Sequence, residues 1–225
     1  MIYPIVLQVR AAGRCKLSTV RSDYRKTAAG YNREDGRAKR EFHRLSTVRK
    51  RRVWPASRPP LLHGMLMMDI EATRARFRPN RITTLFVGES APASGDFFYY
   101  GSNAMLRHMQ RATEAALGGG GDFLQRFKSY GWFLDDLVLT PVDKLGRIER
   151  KAKCQGAADS LRDRIALYRP LAIVSVLLTI RPIVEAAATA AASNAQMFGV
   201  PFPGMGQQLR FHKEMVRIIP LLPRD

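Results

Sequence analysis

The chain from about residue 81 to its end predicts an α/β domain with a parallel sheet. Three observations carry this expectation. Short apolar runs of strand character occur at 82–87, 132–139 and 171–178, each bounded by Gly, Pro or Thr. Stretches with apolar residues at helical spacing lie between them. The two kinds of segment alternate along the chain, as βαβ units do, which places helices on both faces of the sheet.

The elements follow in order. Residues 82–87 read Ile-Thr-Thr-Leu-Phe-Val and stop at Gly88, which predicts a buried strand. A helix is expected over 103–117, with Ser102 or Asn103 as its cap and Gly118–Gly121 as its stop. A short helix over 123–129 ends before Gly131. A second strand spans 132–139 and is closed by Thr140-Pro141. An amphipathic helix covers 157–168 and stops before Pro170. The Ile/Val/Leu-rich run 171–178 is the third strand. An Ala-rich helix follows over 183–194, with Pro182 near its start. A fourth short strand is expected at 196–200 and a last helix at 207–219.

Ligands of such sheets sit beyond the carboxyl ends of the strands. Two loops occupy that edge, 88–101 and 201–207. In the first, Gly88 permits a tight turn at the strand end, and Glu89 is an acid placed to hydrogen-bond a ligand or polarise a water. Ser90 and Pro92 complete the turn. The run Phe97-Phe98-Tyr99-Tyr100 offers rings that could stack on a planar base or close the core beneath the loop. At least one ring is expected in each role. The second loop, with Pro203, Gly204 and Gln207, leads into a helix whose first amides suit an anion, with Gln208 and Arg210 within reach of a phosphate. Asp135 and Asp136, in the second strand, are further acids near this edge.

Several chemistries fit poorly. A nucleophile elbow at Ser90 needs a glycine where Pro92 stands. The chain has only 4 histidines, and two of them, His43 and His63, lie outside the predicted domain. A dinucleotide fingerprint is absent after the first strand, and Gly118–Gly121 follows a helix without a Gly-Lys-Ser/Thr ending. Cys15 and Cys154 cannot supply four thiolates to a zinc or an iron–sulfur cluster, and so few cysteines fit a reducing cytoplasm. No cofactor or metal is expected. The longest apolar run, 171–180, is too short to cross a bilayer, so no membrane partner is expected either.

Charge divides the chain. Lys and Arg total 37 against 19 Asp and Glu, a formal net charge of +18. Residues 1–64 hold 16 of these cations and 4 of the acids, so most of the excess lies there. That segment repeats Leu-Ser-Thr-Val-Arg at 17–21 and 45–49, and it shows no sustained period. It reads as a basic nucleic-acid-binding arm, a transit peptide, a disordered tail, or translated upstream sequence with the start at Met65, Met67 or Met68. Residues 65–80 form a lead-in, and 81–225 the domain.

The strand 85–87, the turn Gly88-Glu89-Ser90-Ala91-Pro92 and the aromatic run that follows resemble the first motif of the uracil-DNA glycosylase superfamily, nearest the Gly-Glu-x-Pro-Gly type of its thermophilic and related bacterial branches. The 202–207 loop sits where that superfamily carries its second motif. The resemblance spans 81–219. It implies a three-layer α/β fold with a central four-stranded parallel sheet flanked by helices. It also implies a DNA-binding protein that flips a damaged base out of the duplex and hydrolyses its N-glycosidic bond; separately, the chain is expected to be a monomer. On this pattern Gly88 and Glu89 stand by the sugar and the attacking water, with Glu89 catalytic. One of Phe97, Phe98 or Tyr99 stacks on the base, and 203–207 presses the strand. The chain departs from the pattern in lacking a histidine at 201–207. A nucleic-acid- or nucleotide-binding homologue without glycosylase chemistry is therefore the alternative.

Overall fold

The structure, a computed structural model, describes residues 69–225; the basic segment with its repeat lies outside the described residues. Four strands, β1 (Thr84–Gly88), β2 (Trp132–Asp136), β3 (Ala172–Ser175) and β4 (Gln196–Gly199), form one all-parallel sheet in the order β2-β1-β3-β4. Every residue of β1, β2 and β3 is buried. This is why the strands are mainly apolar without alternation, with Asp135 and Asp136 closing β2 as the exception. Each large apolar side chain so buried contributes roughly 1.5–3 kcal/mol.

Seven helices surround the sheet among the described residues. Helix α1 covers 69–76, inside the stretch expected to be only a lead-in. It is followed by α2 (Ala104–Leu117), α3 (Phe123–Ser129), α4 (Arg147–Gly156), α5 (Ala158–Tyr168), α6 (Arg181–Ala190) and α7 (Gln208–Ile218). Helix α2 packs with α7, and α5 with α6, giving layers on the two faces of the sheet. Caps explain the clean starts: Asn103 accepts from the Leu106 amide, and Asp122 from those of Leu124 and Gln125.

Boundaries shift where local chemistry overrides the apolar pattern. The third strand stops at Ser175 rather than 178, because the chain turns through 176–180 into α6, whose Pro182 belongs to its first turn. Helix α6 ends at Ala190 instead of 194. Ala192 is left-handed at φ 51°, and the Ser193 amide reaches back to the Ala188 carbonyl, closing the helix. Helix α4 has no counterpart among the expected elements. Its two apolar residues besides alanine are Ile148, which is 86% exposed, and the buried Cys154, so no apolar stripe marks it.

The chain leaves β1 towards β2 on one side, crosses back over β1 to reach β3, and continues outward to β4. The carboxyl ends of β1 and β3 therefore flank a topological switch point. The opposite edge is closed by the chain's last residues. The Pro223 carbonyl accepts from Thr83, Thr84 and the Trp132 indole at 3.1, 3.0 and 2.9 Å. No helix among the described residues is long and apolar enough to cross a membrane.

Candidate functional site at the carboxyl edge of the sheet

The turn after β1 is stapled to the segment that follows β2. Leu137 and Val138 donate to the carbonyls of Gly88 and Glu89, each at 2.9 Å. The Val142 amide donates to Ser90 Oγ at 3.2 Å, and Ala93 N to Asp143 Oδ1 at 2.9 Å. Pro92 is half-buried within this frame. Gly88 is paired in register with Asp136. A Cβ on Gly88 would stand 2.5 Å from Asp136 Oδ1, so only glycine lets the carboxylate sit there.

Glu89 does not point free into solvent. Arg150 of α4 grips it with both arms of its guanidinium, Nε to Oε1 at 2.8 Å and Nη2 to Oε2. Cys154, one turn further along α4, donates its thiol to Oε1 at 3.6 Å. Burial, followed by the Glu89 charge, pushes the Cys154 thiol up to about 11. Nothing in the residue spacing signals this pairing, since 61 positions separate its partners.

Asp135 and Asp136 are buried and held by arginines. Arg74 of α1, itself only 2% exposed, donates to Asp135 Oδ1 at 2.7 Å and Asp136 Oδ2 at 2.8 Å. Arg164 of α5 donates to Asp135 Oδ2 at 2.5 Å, and the Tyr168 hydroxyl reaches the same oxygen at 3.4 Å. Two cations thus offset two carboxylates, the arrangement that buried charges need. Burial raises the Asp136 carboxyl above its ordinary range, with Arg74 pulling it back. Asp136 Oδ1, the oxygen beside Gly88, has no hydrogen-bond donor among the described residues.

The aromatic run serves mainly the fold. Phe97, Phe98 and Tyr99 are buried, at 1%, 4% and 3% exposure, while Tyr100 is 38% exposed. Tyr99 stacks on Phe77 with ring centres 5.1 Å apart. Its hydroxyl accepts from the Leu134 amide at 2.7 Å and donates to the Leu134 carbonyl at 3.1 Å. It therefore satisfies both backbone groups of Leu134 on the free edge of β2. Tyr100 donates to Asp69 at 2.6 Å. None of the three rings expected at the base is on the surface. A core ring and a stacking ring look alike in sequence, and here α1 supplies the surface that covers them.

The 201–207 loop lies at the same sheet edge, with β3 between it and the β1 turn. Pro203 is buried and Gly204 half-buried beneath the Phe202 ring, which is 47% exposed. Met205 is fully exposed and left-handed at φ 49°, and Gly206 is left-handed at φ 81°. Gln207 and Arg210 are exposed, and no side chain caps α7. Leu209, beside them, is 87% exposed. His212 is half-buried on α7. His108 of α2 packs edge-on against Phe211, and its pKa is lowered by burial and by Arg111, Arg107 and His212.

The site is thus two acidic groups at adjacent strand ends, each tied to arginines from other elements, with an apolar and glutamine-bearing loop one strand away. The arginines 74, 150 and 164 were not legible in advance, because long-range charge pairing leaves no periodic trace. Compared with known proteins, the chain matches no family model and no curated sequence.

Proposed function

We propose that the chain is a DNA glycosylase-like hydrolase that cleaves the N-glycosidic bond of uracil or another damaged base. The observation that carries the reading is Asp136 Oδ1, without a donor among the described residues and facing Gly88 where the carboxyl ends of β1 and β2 meet. In the reaction, a water oxygen bonds to the anomeric carbon while the carbon–nitrogen bond breaks. The bonding pair leaves with the base, and the proton of the water passes to a carboxylate. Three carboxylates stand at this edge, and Asp135 is held on both oxygens by Arg74 and Arg164. Asp136 fits the role better than Glu89, because Arg150 occupies both oxygens of Glu89. A carboxyl raised by burial is also a better general base near neutrality. Exposed Phe202, Met205 and Leu209, with Gln207 and Arg210, are the groups that would meet a strand. Gly204 and Pro203 set the shape of that loop.

The test is base release from uracil-containing and deaminated-purine oligonucleotides, read as strand cleavage after alkali. Asp136→Asn is expected to lose at least about a hundredfold in rate, and Glu89→Gln about tenfold or less. Wild-type activity should fall on acidification at a pH above the ordinary carboxylate range. Absence of release on every substrate leaves the second reading, a nucleic-acid-binding protein without chemistry, which the closed Glu89–Arg150 pair favours.

A further inference from the structure

Helix α4 is an unusual element. Of its ten residues only Cys154 is buried and Arg150 half-buried, and both reach Glu89. The other eight face solvent. Successive residues turn about 100° around a helix, so the anchor at 150 and 154 divides the exposed surface into two flanks. One carries Glu149 and Lys153, opposite charges at i,i+4 spacing. The other carries Arg147, Lys151 and Gln155, also at i,i+4 spacing, with no acid. Arg147 and Lys151 pair with no carboxylate among the described residues. Arg162 pairs with Asp159 and Asp163, Arg181 with Glu185, and Arg217 with Glu214, whereas exposed Arg107 and Arg111 of α2 and Arg210 of α7 form no ion pair among the described residues. Two like charges one turn apart oppose helix formation, a cost that an external anion removes.

We propose that the Arg147–Lys151–Gln155 flank is a phosphate-binding surface for one nucleic-acid strand, resting on the glycosylase-like reading for the choice of partner. Its place supports this. The Glu89–Arg150 pair ties α4 to the β1 turn, so the flank is carried by the helix that holds Glu89. The spacing of the two cations is about 6 Å along the helix axis, and each presents a long donor-bearing side chain to a backbone of repeating charge. An anionic membrane fits less well. Ile148 is the one large apolar residue on the exposed surface of α4, whereas an interfacial helix needs an apolar face.

The experiment measures oligonucleotide affinity of the full chain against salt concentration, using undamaged single-stranded and duplex DNA. Arg147→Gln/Lys151→Gln is expected to lower the salt slope by about 1.5 and to weaken binding at low salt about tenfold or more. The charge-matched Arg217→Gln/Arg224→Gln, placed towards the opposite sheet edge, should leave both unchanged. An unaltered slope in the first variant, or equal loss in both, overturns the inference while leaving base release to be judged separately. No DNA binding by the wild type also overturns it. So does loss of binding to phosphatidylserine vesicles with DNA binding intact. A lowered slope in a chain that releases no base sustains the surface and removes the glycosylase.

Discussion

At Gly88 a single hydrogen in place of a methyl group decides whether two strand ends can meet. The Asp136 carboxylate occupies the space of the missing side chain, and Arg74 fixes it there. Gly88→Ala forces the carboxylate or the strand to move against a buried ion network. It is expected to destabilise the fold by about 1–3 kcal/mol, measured by urea unfolding; a midpoint unchanged from wild type would refute the close approach. Cys154 makes a second prediction at this scale. Its folded pKa of about 11 lies above the ordinary thiol value of 9.0. The folded chain therefore holds the thiol proton more tightly than the unfolded chain does. That contribution is complete below pH about 9 and is lost as pH rises towards about 11. Cys154→Ala should flatten this part of the alkaline stability profile. In the wild type, iodoacetamide at pH 8 should react far more slowly than with an unfolded control; equal rates would contradict the assignment.

At the level of elements, stability is unevenly distributed. Strand β1 is buried on both faces between neighbours, while α4 is anchored by buried Cys154, the Arg150–Glu89 pair and its packing with α5. Arg150→Ala should leave amide exchange in β1 unchanged and accelerate it in α4 by about tenfold, after discounting the pair for the exposure of Arg150. Uniform acceleration in both would mean that α4 is integral to the core. The same contrast explains which elements the sequence reveals. Strands 84–88 and 132–136 are legible because burial on both faces demands the apolar cores Leu85-Phe86-Val87 and Trp132-Phe133-Leu134. Helix α2 is legible because Asn103 marks its start and Gly118 its stop, and α3 because Gly131 marks its end. Helix α4 is silent because a charge pair does the work of an apolar stripe. The lead-in helix α1 hides for a related reason: its principal anchor besides Ile70 is Arg74, a charged residue read as surface until its two aspartates are seen. The turn at Gly88 and Glu89 was legible as a strand-end site, but the grip of Arg150 on Glu89 was not.

Across the whole molecule, the sheet has two unlike margins. On the β2 side, α1, Phe77 and the Tyr99 hydroxyl cover the outer strand and satisfy its backbone, the usual defence of an edge. On the β4 side, a four-residue strand is only partly buried. The carboxyl edge is bordered by α4 and the 201–207 loop, and the opposite edge is sealed by the Pro223 carbonyl. Connections that run outward from β1 in both directions bring Glu89, Asp136 and Arg150 together from separate parts of the chain.

The arginine on α1 also imposes an order on biosynthesis. Arg74 is made first, yet its partner Asp135 lies 61 residues later. At about 5–20 residues per second, that gap is roughly 3–12 s of elongation. During this interval α1 has neither its counter-ions nor the β2 surface on which it rests. The first described helix to leave the ribosome is therefore among those that cannot settle until the second strand has been delivered.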